Sequence, residues 1–305
     1  MPGKNNDEQI RHPGPDVLQV SLMRVSPPRI TPSVHGAARP PAGSPAADAY
    51  RQATFVLDSE VALVLKGLEL EGAAAEASAG AKFRNQLVAA ALSAWSRSWL
   101  CRTQALQSLQ WGNYAAAIPL VRSACDFAAA KVSLLGADAA EWQQWLDDGG
   151  IGPAHELHAT EFRLHPYRSA EALARYPALG SVYRQSSDLA LPHFGATLLT
   201  VASESTADRV LVTFGDRDFH LGLAEMLLGW LLALGDFHLD ALDAEDSPLA
   251  ALPGAGSDQF HTATVAALAS GTRCRMQELE VQGSNRWLVS GWRRRPGDAA
   301  HRILL

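Results

Sequence analysis

A chain of 305 residues, 47% hydrophobic and 19% charged, is long enough to bury a sizeable core and has the composition of a globular protein. Its formal net charge of −6 gives no bulk basic excess for binding a polyanion, and the one dense basic run, Arg293-Arg294-Arg295, reads as a solvated tail. Three cysteines (Cys101, Cys125 and Cys274) with no paired spacing argue against a disulfide framework and for a reducing, cytoplasmic setting.

Residues 1–48 are polar and Pro-rich, with Ser26-Pro27-Pro28 and a run from Arg39 to Pro45 that can continue neither a helix nor a central strand. They are expected to form a disordered leader, and they lack the basic-then-apolar order of a secretion signal. A helical domain is expected over 49–275. Val56, Val61, Val64, Leu65 and Leu68 stand close to helical spacing within 55–77. The next helix is predicted over about 82–110, with Trp95, Trp99, Leu100 and Leu106 facing inward. Gly112-Asn113 is a turn, Asn113 a helix cap, and the following helix ends at Gly136, with Pro119 inside it as a kink or a late start. Two long helices joined by a tight turn make an antiparallel αα-hairpin.

Shorter helices are predicted over 139–147, 153–163, 170–175 and 179–189. Apolar residues on either side of the polar linker 203–208 predict a small β-hairpin over 197–214. The apolar stretch 219–239 is interrupted by His220, Glu225, Asp236 and His238, so it is expected to be the central helix of a bundle and not a membrane span. A helix at 258–271 follows. Residues 276–305 form a C-terminal unit, a hairpin of 278–281 with 286–290 around Gly283-Ser284-Asn285 and then the basic tail. The expected fold class is all-α: a helical bundle built on a long antiparallel αα-hairpin, with one or two small β-hairpins.

Several constellations could carry chemistry. His155, His158 and Glu161 are spaced three apart, and on a helix they would share a metal-compatible face. Arg122 and Asp126 are four apart in an apolar stretch, so they can pair as a structural pin or as part of a site, and Arg97 on the preceding helix could face the same space. His193 follows Pro192 at a helix end, where an imidazole could exchange protons near neutral pH. Glu225 has few charged neighbours in sequence, so burial would raise its pKa. No Gly-rich phosphate loop, G-x-S-x-G elbow, C-x-x-C pair or basic helix-turn-helix face is present, and no cofactor is expected.

The helix that reads Ala-Ala-Ile-Pro-Leu-Val-Arg122-Ser-Ala-Cys-Asp126, together with the segment from Tyr183 to Pro192-His193, resembles the HEPN-related helical bacterial proteins in the order of its elements over about 82–240. In HEPN ribonucleases an Arg and a His share one short motif. Here eight residues separate Arg184 from His193, and two separate Arg217 from His220. The resemblance implies a ribonuclease or phosphoester hydrolase built on Arg122, Asp126 and His193, with Arg122 holding a phosphate and His193 moving a proton. The residues themselves favour a non-catalytic binding or regulatory protein that uses the bundle groove or the tail carrying Trp287, Trp292 and Arg293 to Arg295. A metal-dependent helical protein is the third expectation. The expected partners are a protein, a second copy in a homodimer, or RNA, and no membrane.

Overall fold

Helical periodicity becomes a succession of α-helices from residue 46 onward. A computed structural model describes residues 29–78, 86–136, 152–154, 159–161, 169–201, 205–206, 208–243, 247, 249 and 255–305. Over these residues the chain is mostly helical, with a small three-stranded antiparallel sheet near its C-terminus.

The leader predicted over 1–48 is described from residue 29, and there it is an extended strap lying against a helix. The Ala37 N–H donates to Gln110 Oε1 (2.6 Å), and the Trp111 indole N–H donates to the Ala38 carbonyl (2.8 Å). Pro32 presses so closely on Gly72 that a Cβ there would stand 2.9 Å from the proline ring, so this crossing needs a glycine. Prolines suit such a segment because they fix an extended backbone without needing donors of their own.

Helix α1 (Ala46–Val56) and helix α2 (Asp58–Ala77) are separated only by Leu57, whose backbone leaves the helical region. Helix α3 (Gln86–Gln110) and helix α4 (Tyr114–Leu135) are joined by the turn at 111–113 and pack extensively on each other. Gly112 turns with φ +70, and any side chain there would meet the Arg217 carbonyl at 2.1 Å. Asn113 holds the cap position, though its side chain makes no capping bond. The helix passes through Pro119 and stops at Gly136, which is extended and not left-handed.

Two predicted elements take other forms. In place of the helix over 153–163, β1 (Gly152–Ala154) pairs antiparallel with β2 (Ala159–Glu161). In place of the hairpin over 197–214, the chain forms α7 (Phe194–Val201), and beyond it the described residues hold an isolated bridge between Thr206 and Arg209, a bond from the Leu211 N–H to Ser205 Oγ and one from the Thr213 N–H to the Val201 carbonyl. Both segments are short, and periodicity alone does not separate a short strand from a short helix.

Between these segments lie α5 (Ala170–Arg175) and α6 (Pro177–Ala190), which begins with its proline at the tolerated first position. Helix α8 (Leu221–Asp243) is the central element. It is long and apolar enough to cross a membrane, but 83% of its most apolar window is buried by the rest of the protein, as a core helix requires. Helix α9 (Ala255–Ala269) leads into β3 (Arg275–Val281), β4 (Ser284–Trp292) and β5 (His301–Leu304), in spatial order β3-β4-β5. The predicted hairpin is present. Its two-residue turn is Gln282-Gly283, both at positive φ, which matches the strand twist of a tight hairpin.

The sheet joins the helical core through Glu225 on α8. One carboxylate oxygen accepts the Cys274 N–H (2.8 Å) and the other accepts Arg293 (2.8 Å). Burial pushes the Glu225 carboxyl upward, the expected direction, while Cys274 and Arg293 pull it back. The basic run is therefore not a free tail. Arg293 is held by Glu225, and Arg294 lies 3.1 Å from Asp218 and 3.6 Å from Asp216. Trp292 is buried against His220, and the Trp287 indole donates to Asp188 (2.5 Å).

Candidate functional site

Four buried helical stripes carry a polar side chain where the spacing calls for an apolar one. On α2 the stripe is Val61, Val64, Leu68, Glu71 and Ala74, and on α3 it is Trp95, Ser98, Arg102 and Leu106. On α4 it is Ala124, Ala128 and Lys131, and on α8 Leu231, Leu234, His238 and Leu242. Packing these faces together produces a charged centre inside the protein.

Arg102 meets Glu71 with both terminal nitrogens, at 2.6 Å each. The two-pronged geometry is the strongest form of this pair. The Trp95 indole N–H gives Glu71 a third donor at 2.7 Å. Lys131 is fully buried and its amine sits 4.5 Å from the centre of the Trp95 ring. It reaches His238 at Nδ1 and at the carbonyl oxygen, 3.4 Å each. His238 Nε2 lies 2.9 Å from the Ser98 hydroxyl, which itself donates to the Ala124 carbonyl. A hydroxyl has one hydrogen to give, so Ser98 accepts from His238, and His238 is the neutral tautomer with its proton on Nε2. Its Nδ1 lone pair then faces Lys131. Among the described residues, Arg102 Nε has no hydrogen-bond partner.

Burial dominates the titration of these groups. Desolvation brings the Lys131 amine down to about 7, with Glu71 opposing and Arg102 adding to the shift. His238 is pushed well below the usual imidazole value by desolvation first, then by Arg102 and Lys131. Desolvation also raises the thiols of Cys101, Cys125 and Cys274, the last to about 12, so none of them is an activated nucleophile.

One edge of this centre reaches the outside. A groove of about 220 Å³ lies between α2, α3 and the strap, with Glu71, Gly72 and Trp95 at its floor. Ala75, Leu92, Trp99 and Leu100 supply apolar wall, and Arg29, Thr31 and Ser96 line it as well. Lys131, His238 and Arg102 are not among its lining residues.

The residues singled out in sequence are only partly brought together. Arg122 and Asp126 share a half-exposed cluster, with their closest charged atoms 4.0 Å apart. The Arg122 guanidinium donates to Ser187 Oγ (3.1 Å) and to the Tyr183 hydroxyl (3.2 Å), while Asp126 accepts from Ser169 (2.8 Å). The apolar surroundings expected for this pair are not found, because it faces outward from α4 and ties that helix to α6 and the residue before α5. Arg97 lies over the Phe127 ring at 4.8 Å. His193 is exposed just beyond α6, and its ring bonds neither Arg122 nor Asp126. His155 and His158 lie outside the described residues. Glu161 belongs to β2, so the helical face proposed for the three does not extend to it. Among the described residues no three His, Cys, Asp or Glu side chains converge as a metal site would require.

Comparison with protein-family models, curated proteins and solved structures finds no match. What the site can do therefore follows from its geometry. In the buried centre Arg102 is neutralised by Glu71, and His238 is held between Ser98 and Lys131. The groove beside it is open, largely apolar and lined by two indole rings.

Proposed function

We propose that this chain is a helical binding protein without catalysis of its own, a bundle built on the antiparallel hairpin of α3 and α4, which takes up a small molecule in the groove between α2, α3 and the strap. The observation that carries the reading is the groove floor. Glu71 and Trp95 form the one part of the charged centre that meets the groove, where Arg102 holds Glu71 and Glu71 accepts the Trp95 indole N–H. An apolar cleft over a rigid polar floor is the usual form of a small-ligand site. The tail, the other binding surface expected from sequence, has Trp292, Arg293 and Arg294 already engaged within the chain, which favours the groove.

A screen of small apolar fragments by thermal shift tests this. Ligands at about a hundred times their dissociation constant should stabilise the protein by about 2.7 kcal/mol, a shift of several degrees. Ala75→Leu fills the groove from α2 with a good helix former and should abolish the shifts. Shifts that persist unchanged in Ala75→Leu would place binding elsewhere.

Arg122 supports a second reading, the HEPN-like phosphoester hydrolase. A guanidinium beside the hydroxyls of Tyr183 and Ser187 is chemically suited to a phosphate. It is the weaker reading, because those hydroxyls and Asp126 already occupy the cluster and His193 makes no bond to it.

A further inference from the structure

The groove has one charge to offer, and its sign selects the ligand. We infer that the groove takes a small aromatic carboxylic acid, with the ring between Trp95 and Trp99 and the carboxylate on Arg29. This rests on the groove being the binding site, as proposed above.

The carboxylate at the floor is already used. Glu71 Oε1 accepts one Arg102 nitrogen, and Oε2 accepts the other together with the Trp95 indole. A cationic ligand entering the groove finds that charge neutralised and its oxygens occupied. The unbalanced charge is Arg29 on the strap, which has no acidic partner among the described residues and is exposed to solvent. The hydroxyls of Thr31 and Ser96 also line the groove and make no hydrogen bond among the described residues, so they can donate to an anion bound by Arg29. A guanidinium with neighbouring hydroxyl donors matches a planar carboxylate.

The rest of the lining selects the body of the ligand. Leu92, Leu100 and Ala75 line the groove together with Trp95 and Trp99, and aromatic rings favour offset or edge contacts with such indoles. The volume of about 220 Å³ accommodates one ring with a short acid arm.

Calorimetric titration of the full chain with 3-phenylpropionate, 3-phenylpropanamide and 3-phenylpropylamine tests the inference. The acid should bind most tightly. Arg29→Gln, at an exposed position where folding is not at stake, should weaken the acid roughly tenfold or more and leave the amide unchanged. Raised salt should weaken the acid alone. If the amide equals the acid and Arg29→Gln changes neither, the acid assignment is overturned while the groove stands, provided Ala75→Leu removes both. Tighter binding of the amine would overturn the charge argument. No binding by any of the three at millimolar concentration would overturn the aromatic ligand class, and the fragment screen then judges the groove by itself.

Discussion

Glu71→Ala should destabilise the protein by about 3–5 kcal/mol, the usual cost of removing one partner from a buried ion pair. Arg102 would keep its charge in a site with almost no solvent contact, where no other carboxylate among the described residues pairs with it. The Trp95 indole would lose its acceptor as well. Lys131 would lose the one charge that favours its protonated form. For a chain of this size the melting temperature should fall on the order of 10 °C. The control is the double variant Glu71→Leu with Arg102→Met. Taking out both charges and refilling their volume should recover most of the loss, since apolar replacements of buried pairs are often neutral or stabilising. If Glu71→Ala shifts stability by less than about 1 kcal/mol, water reaches Arg102 and the centre is not the closed unit described here.

Lys131 gives the second large effect, and it depends on pH. Its amine titrates near 7 in the folded protein and near 10.4 in an unfolded chain. Between those values the unfolded chain binds a proton that the folded one does not, so stability rises with pH. The expected slope from this group is about 0.7 kcal/mol per pH unit at pH 7 and rises towards about 1.4 a unit higher, read from urea unfolding at pH 7.0, 7.5, 8.0 and 8.5. Lys131→Met should flatten this slope and stabilise the protein most at pH 7 and below, where the amine must otherwise be buried charged or lose its proton. Above about pH 9 the sign turns, because the buried thiols keep protons that an unfolded chain releases. On the acid side His220, brought down to about 4 by burial, acts in the same direction as Lys131 between pH 4 and 6.5, and His238 does likewise. Glu225 opposes them, since its raised carboxyl holds a proton in the fold. An equal slope in Lys131→Met would mean that Lys131 is charged in the fold at neutral pH.

Much of the helical frame was legible because its stripes are long. Helices α4 and α8 show three or four apolar residues on each pair of turns, and the β3–β4 hairpin is marked by Gly283 between β-forming runs. The two misread segments are short, and Leu198, Leu199 and Val201 serve a helix turn as well as a strand. The strap was hidden for another reason. Its prolines exclude helix and central strand, but they do not exclude an extended segment that borrows donors from Gln110 and Trp111.

The attention that the sequence drew to Arg122 and Asp126, and not to the buried centre, has a physical reason. Arg122 and Asp126 stand beside Val121 and Cys125 in sequence, and adjacency to apolar residues suggested burial. Burial follows the stripe, and both residues fall off it. Glu71, Arg102, Lys131 and His238 fall on it and are buried. The signal was there in each helix, but nothing in one helix says that the four stripes meet. Glu69 and Glu71 show how narrow the difference is. They are two residues apart in one apolar run, yet Glu69 is exposed and Glu71 is almost wholly buried.

The claim that the groove over Glu71 and Trp95, and not the Arg122 cluster, is the functional site can be tested in one tryptophan-emission titration. The strongest-binding fragment or aromatic acid is titrated into the wild-type chain, Ala75→Leu and Arg122→Ala. Trp95 and Trp99 line the groove, so their emission should change on binding in the wild type and in Arg122→Ala with equal affinity, and should not change in Ala75→Leu. Binding that survives Ala75→Leu and is lost in Arg122→Ala would contradict the account.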